Sequence, residues 1–95
     1  MRNYKKTLVF AATYNEAKNI EHLIKSIKLN TPKSDILIID DNSPDGTSQI
    51  INRIKPLNKN IILITRKNKM GLDTAHKEAY EFALKNQYDY LITMD

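Results

Sequence analysis

The sequence predicts an α/β domain: a parallel four-stranded sheet in the order 3-2-1-4, with helices on both faces. Three observations predict it. Four apolar runs, at residues 7–12, 35–39, 61–65 and 88–94, have the length and near-continuous hydrophobicity of buried strands. Each gap between them holds an amphipathic segment long enough for a helical crossover, which implies parallel strands with right-handed connections. Strand one takes strands two and four as neighbours, so it lies inside the sheet.

Each element has its own reason. Thr7, Leu8, Val9, Phe10, Ala11 and Ala12 make strand one, and a helix follows over about 16–29. Ala17, Ile20, Leu23, Ile24 and Ile27 form its 3.6-residue stripe, and Asn15 is the expected N-cap. Asn30, Thr31, Pro32, Lys33 and Ser34 end it and turn the chain into strand two. Asn42, Ser43, Pro44, Asp45 and Gly46 read as a turn, after which a helix runs to Ile54 with Ile50, Ile51 and Ile54 inward. Pro56 stops it before strand three. Residues 66–72 form a basic loop with Gly71 near its end. Asp73 or Thr74 is expected to cap the third helix, which runs to about Asn86 with Ala75, Ala79, Tyr80, Ala83 and Leu84 facing the sheet. Strand four closes the chain just before Asp95.

At 95 residues the chain is one small domain at most, and its 41% hydrophobic content suits a globular core. It has no cysteine, which excludes disulfides and cysteine-ligated zinc. The apolar run after the basic first residues is too short for a signal peptide, and nothing approaches the roughly 20 apolar residues of a membrane span. The net charge of +4 is spread over helix faces. It suits an acidic partner such as a nucleotide, a lipid phosphate or an anionic membrane surface, but no nucleic-acid-binding module stands out. The G-x-G-x-x-G and P-loop fingerprints are absent, so a nucleotide would have to be held by another geometry.

Two tandem carboxylates, Asp40 and Asp41, leave strand two directly. In a parallel sheet all strand exits share one edge, so Tyr14 and Glu16, Asp40 and Asp41, Arg66 and Lys67, and Asp95 converge there. Ionised carboxylates accept hydrogen bonds only, which fits Glu16 and one of Asp40 or Asp41 to ribose hydroxyls and ring N–H groups. Arg66, Lys67 and Lys69 are candidates for phosphate, and Gly71 allows the loop to bend tightly beside a ligand. Asp95 is a candidate ligand for a divalent metal bridging two phosphates. Asp45 reads as a turn residue, His22 and His76 as non-catalytic, and Tyr80 and Phe82 as packing groups. A small flavodoxin-like or receiver-like binding module is the alternative, but Thr65 and Arg66 stand where its phospho-acceptor aspartate would be.

The runs Thr13-Tyr14-Asn15-Glu16-Ala17-Lys18-Asn19-Ile20 and Ile39-Asp40-Asp41-Asn42-Ser43-Pro44-Asp45-Gly46-Thr47 are followed by Arg66, Gly71-Leu72 with Thr74-Ala75, and Met94-Asp95. In this order and spacing the chain resembles the family 2 glycosyltransferases of the Rossmann-like GT-A fold. Within them it resembles the polyprenyl-phosphate sugar transferases, and most of all the dolichol-phosphate mannosyltransferases. The resemblance implies that Tyr14, Glu16 and Asp41 contact the nucleotide and that Asp95 is the first aspartate of an Asp-x-Asp metal motif for Mg²⁺ or Mn²⁺. The candidate nucleotide-binding set is Thr13, Tyr14, Glu16, Asp40, Asp41, Arg66, Lys67 and Gly71. No catalytic residue is assigned within the chain.

The implied reaction moves mannose or glucose, with inversion, from a nucleotide sugar of the GDP-mannose or UDP-glucose type to a polyprenyl phosphate. Polysaccharide or glycan synthesis by another family 2 enzyme is the alternative, and an inactive fragment is the non-enzymatic one. The resemblance further implies that residues 1–95 are the N-terminal nucleotide-sugar-binding part of a longer domain. Such a part is expected to be inactive alone and marginally stable, with strand four at an uncovered sheet edge. The implied location is cytoplasmic, or peripheral at the cytoplasmic face of a membrane through later segments. The chain departs from the family pattern at Ala12 (usually proline), Asp73 (usually glycine) and Ala79 (usually glycine). The added charge of Asp73 is expected to weaken donor binding.

Overall fold

The hydrophobic runs form a sheet whose two inner strands are buried on both faces. The computed structural model describes residues 5–68 and 70–94. In chain order they form β1 (Thr7–Thr13), α1 (Ile20–Asn30), β2 (Asp35–Asp40), α2 (Thr47–Ile54), a 3₁₀ turn (Lys55–Leu57), β3 (Ile61–Thr65), α3 (Leu72–Lys85) and β4 (Tyr90–Met94). The sheet order is β3-β2-β1-β4, with every pairing parallel. This is the α/β, Rossmann-like arrangement the sequence predicts, with helices on both faces.

Alternation along the strands divides the core in two. On one face Val9, Ile36, Ile38 and Ile61 pack with Ile20, Ile24 and Ile27 of α1 and Ile51 of α2. On the other, Leu8, Phe10, Leu37 and Ile39 pack under Ala75, Ala79 and Ala83 of α3. Each large side chain buried here contributes about 1.5–3 kcal/mol, so the inner strands hold most of the stability. β4 is an edge strand, and Tyr90, Ile92 and Met94 remain exposed along it.

Four expectations need correction. α1 begins at Ile20, not near Glu16, and Asn15 does not cap it. Asn15 has φ 58°, a left-handed turn conformation that asparagine tolerates, and helical bonding begins only where Asn19 and Ile20 donate to the Glu16 carbonyl. α3 begins at Leu72, with Gly71 in the N-cap position and no side-chain cap from Asp73 or Thr74. The Thr74 hydroxyl instead turns back toward the carbonyls of Met70 and Gly71. Tyr80 and Leu84, expected inside, are 59% and 61% exposed. Ala75, Ala79 and Ala83 are the residues of α3 buried against the sheet, with Phe82 packed beside them and His76 edge-on to Phe10, and this stripe leaves Tyr80 and Leu84 outside. Finally, β4 starts at Tyr90. Tyr88 lies outside the strand, stacked on Phe82 with its hydroxyl donating to Asp35 at 2.5 Å.

The close seat of α3 carries a prediction. Ala79→Leu overpacks a position of 0% exposure and is expected to cost about 1–3 kcal/mol. Leu84→Gln, on the exposed side, is expected to stay within about 0.5 kcal/mol. Urea unfolding of the two variants distinguishes them.

Candidate functional site

The exits of β1 and β2 are organised by Asp40. Its carboxylate is 0% exposed. Oδ1 accepts from the hydroxyls of Thr13 and Ser43, both at 2.6 Å. Oδ2 accepts from the Ser43 N–H at 2.9 Å and the Ser48 hydroxyl at 3.0 Å. With two donors on each oxygen, Asp40 is filled by the protein itself, and it fastens the end of β1 to the turn after β2.

That turn then fixes the loop after β1. Three consecutive N–H groups each meet a side-chain oxygen: Asn15 on Ser43 Oγ at 2.8 Å, Glu16 on Thr47 Oγ1 at 3.0 Å and Ala17 on Asp45 Oδ2 at 3.0 Å. Asp45 also accepts from the N–H and hydroxyl of Thr47. The hydrogen bond from the Thr47 side chain leads in holding its carboxyl below the usual carboxylate range. Asp45 is therefore a turn residue, as expected, and also an acceptor for a segment 28 residues away. Gly46 sits at φ 91°, where a side chain would be strained although its Cβ would meet Gln49 Oε1 only at an ordinary 3.8 Å.

Asp41 faces the other way, toward β3 and α3. Its Oδ1 takes Arg66 Nε at 2.5 Å, and its Oδ2 takes Arg66 Nη2 at 3.0 Å, Met70 N at 2.9 Å and Gly71 N at 3.3 Å. Arg66 also donates to the Gly71 carbonyl and the Thr74 hydroxyl, and lies 3.6 Å from Glu78. Burial pushes the Asp41 carboxyl up. The hydrogen bonds and charge of Arg66, with the Met70 and Gly71 N–H groups, outweigh burial and hold it below its ordinary 3.8. The hydrogen bonds that Arg66 donates to Asp41 likewise hold the guanidinium above its ordinary value.

A depressed carboxyl stabilises the fold wherever the unfolded chain is already ionised. The contribution of Asp41 is thus complete above about pH 4 and is lost as pH falls through its lower folded value. Urea midpoints measured from pH 6 down to pH 2 should fall below pH 4, and Asp41→Asn should lack that part of the fall.

Between these two clusters lies a cleft of about 180 Å³ lined by Ala12, Thr13, Tyr14, Asp41, Gly71, Leu72 and Ala75. Of the expected nucleotide-binding residues, it brings together Thr13, Tyr14, Asp41 and Gly71. Tyr14 is 38% exposed, and the Thr13 hydroxyl is turned inward to Asp40. Glu16 is not among them. It lines a larger groove of about 320 Å³ between α1 and β4, with Asn19, Leu23, Ser26 and Met94. Lys67 is exposed and Asp73 does not line the cleft. Lys69 and Asp95 lie outside the described residues. Among the described residues no group of three or more His, Asp or Glu side chains is placed to hold a metal ion.

Sequence reasoning missed Ser48 and Glu78, and it named Ser43, Thr47 and Thr74 only as parts of motifs, a turn or a cap, without their roles here. Hydroxyl residues crowded around Asp40 and Asp45 were the available signal for Ser43, Thr47 and Ser48. Thr74 and Glu78 follow at one-turn spacing on α3, but nothing local marks Arg66 as their partner.

Residues 8–95 match the family model described as Glycosyl transferase family 2. The chain is 30% identical over 96 residues to the polyprenol monophosphomannose synthase of Mycolicibacterium smegmatis, covering 100% of this chain and 36% of that protein. It is 30% identical over 90 residues to the undecaprenyl-phosphate mannosyltransferase of Micrococcus luteus, covering 95% and 37%. The chain thus spans little more than a third of these curated relatives. Among solved structures it resembles the mannosyltransferase PcManGT of Pyrobaculum calidifontis, solved in complex with GDP-Man and Mn²⁺. The TM-score is 0.74 at 25% identity, over 85% of this chain and 25% of that one.

Proposed function

The chain belongs to glycosyl transferase family 2, and from that premise we propose that the protein transfers mannose or glucose from a GDP- or UDP-sugar to a polyprenyl phosphate. The observation that carries the reading is the cleft at the exits of β1 and β2, where Tyr14, Asp41 and Gly71 meet. Oδ1 of the ionised Asp41, whose one protein donor is Arg66 Nε, accepts a ring N–H of the base, Tyr14 covers the ring, and Leu72 and Ala75 give an apolar wall. The names of the two curated relatives support a polyprenyl-phosphate acceptor, and the ligand of the solved relative supports a GDP-sugar donor.

The chemistry is a displacement with inversion. A phosphate oxygen of the lipid forms the bond to the anomeric carbon, and the bond to the nucleoside diphosphate breaks with its electron pair leaving on the diphosphate. The lipid phosphate is already anionic near neutral pH, so the nucleophile needs little help from a base. Asp95, which follows β4 directly, is our candidate for one ligand of Mg²⁺ or Mn²⁺. The described residues offer no cluster for the ion, and no step is assigned to it. Among the described residues no helix is long and apolar enough to cross a membrane. Contact with the lipid acceptor at the cytoplasmic face is part of the proposal.

The test is transfer by the full-length protein from labelled GDP-mannose and UDP-glucose to polyprenyl phosphate in vesicles, with and without Mg²⁺ or Mn²⁺. Label in a lipid-linked monosaccharide supports the reading. Label only in an elongated glycan moves the assignment to polysaccharide or glycan synthesis within the same family.

A further inference from the structure

Arg66 has the residue type and the strand-end position of a phosphate-binding cation, yet its surroundings give it other work. It is 6% exposed. Its backbone N–H donates to the Asp40 carbonyl at 2.8 Å, which anchors the residue at the exit of β3. Nε is on Asp41 Oδ1, Nη2 on Asp41 Oδ2 and the Gly71 carbonyl, and Nη1 on the Thr74 hydroxyl. All three nitrogens are therefore engaged, and the charge is balanced by Asp41 on one side and Glu78 on the other. Asp41 in turn accepts from the N–H groups of Met70 and Gly71. Gly71 is thus held from both directions, its N–H by the carboxylate and its carbonyl by the guanidinium. Its φ of 91° places this peptide where the cleft wall runs.

We infer that Arg66 is a positioning residue, which clasps Asp41 and the Gly71 backbone into one wall of the nucleoside cleft and does not hold the phosphates of the donor. The inference rests on the nucleotide reading of the cleft. A guanidinium turned to a phosphate would release a buried carboxylate and a carbonyl together, dismantling the wall that receives the base. Lysine cannot replace it, because one ammonium cannot bridge Asp41, Gly71 and Thr74 in the planes these partners occupy.

The test separates base from phosphate. Calorimetry on the full-length protein uses guanosine, uridine, GDP and UDP as probes, with wild type, Arg66→Lys and Thr74→Val. Thr74 does not line the cleft, and its loss removes only one of the Arg66 partners. Arg66→Lys is expected to weaken the nucleoside and its diphosphate by the same factor, on the order of tenfold. Thr74→Val should give a smaller loss in the same sense. The ratio of the two affinities should stay constant in both variants, measured well below each thermal transition so that lost folding does not enter. A loss confined to GDP and UDP, or unchanged affinities in both variants, overturns the inference while leaving the nucleotide reading intact. Failure of wild type to bind any of the four probes overturns the nucleotide reading, and this inference with it.

Discussion

Asp40→Ala is expected to remove about 3–5 kcal/mol of stability, a large share of the roughly 5–15 kcal/mol that holds a typical folded domain. The figure follows from what the carboxylate holds. It accepts from Thr13, Ser43 twice, and Ser48, in a position with 0% exposure. The hydroxyls can rotate toward other acceptors, but the Ser43 N–H cannot, and an unpaired buried donor costs roughly 1–3 kcal/mol. The rest comes from the loop after β1. Ser43 passes the restraint on to the Asn15 N–H, so freeing Ser43 loosens the segment that carries Tyr14 and Glu16. Asp40→Asn should cost less, since its oxygen keeps part of the acceptor set while its amide faces donors. Urea unfolding with a fixed m-value measures both. A loss below about 1 kcal/mol for Asp40→Ala would mean that the turn holds itself without the carboxylate.

The sheet was legible because its information is local. Each strand announces itself by a short apolar run, and each crossover by a 3.6-residue stripe, so order and direction follow from connection rules. The loops were not legible to the same degree, because what shapes them is distant in sequence. Asn15 looks like an N-cap beside an amphipathic run, but its N–H is taken by Ser43, 28 residues on, and the chain turns left-handed there. Tyr80 and Leu84 lie on a plausible apolar stripe, yet how closely α3 approaches the sheet is a property of the three alanines together. At the site, sequence marks which residues reach the shared edge but not which way each one faces. Asp40 and Asp41 are adjacent and chemically alike, and only the folded chain turns one onto serine and threonine hydroxyls and the other onto Arg66. Glu16, though placed at the same edge, falls into the groove beside α1.

The pair of Asp41 and Arg66 yields the second large effect. The two side chains are 9% and 5% exposed, so removing either leaves a charge in a poorly solvated place. Asp41→Ala and Arg66→Met are each expected to cost about 3–5 kcal/mol. The double variant should cost less than either single one, because it removes the stranded charge along with its partner. Exposed pairs weaken in salt, but this coupling should persist in concentrated salt because water and ions reach the pair poorly. The double variant also divides folding from recognition. With both charges replaced by apolar side chains the junction can still pack, while the acceptor that Asp41 offers to a ring N–H is gone. The expected outcome is a folded protein that binds neither nucleosides nor nucleoside diphosphates. Urea unfolding supplies the cycle, and calorimetry with guanosine and GDP supplies the binding. Strictly additive stabilities would show that the two charges are solvated independently, and retained nucleoside binding would remove Asp41 from the recognition of the base.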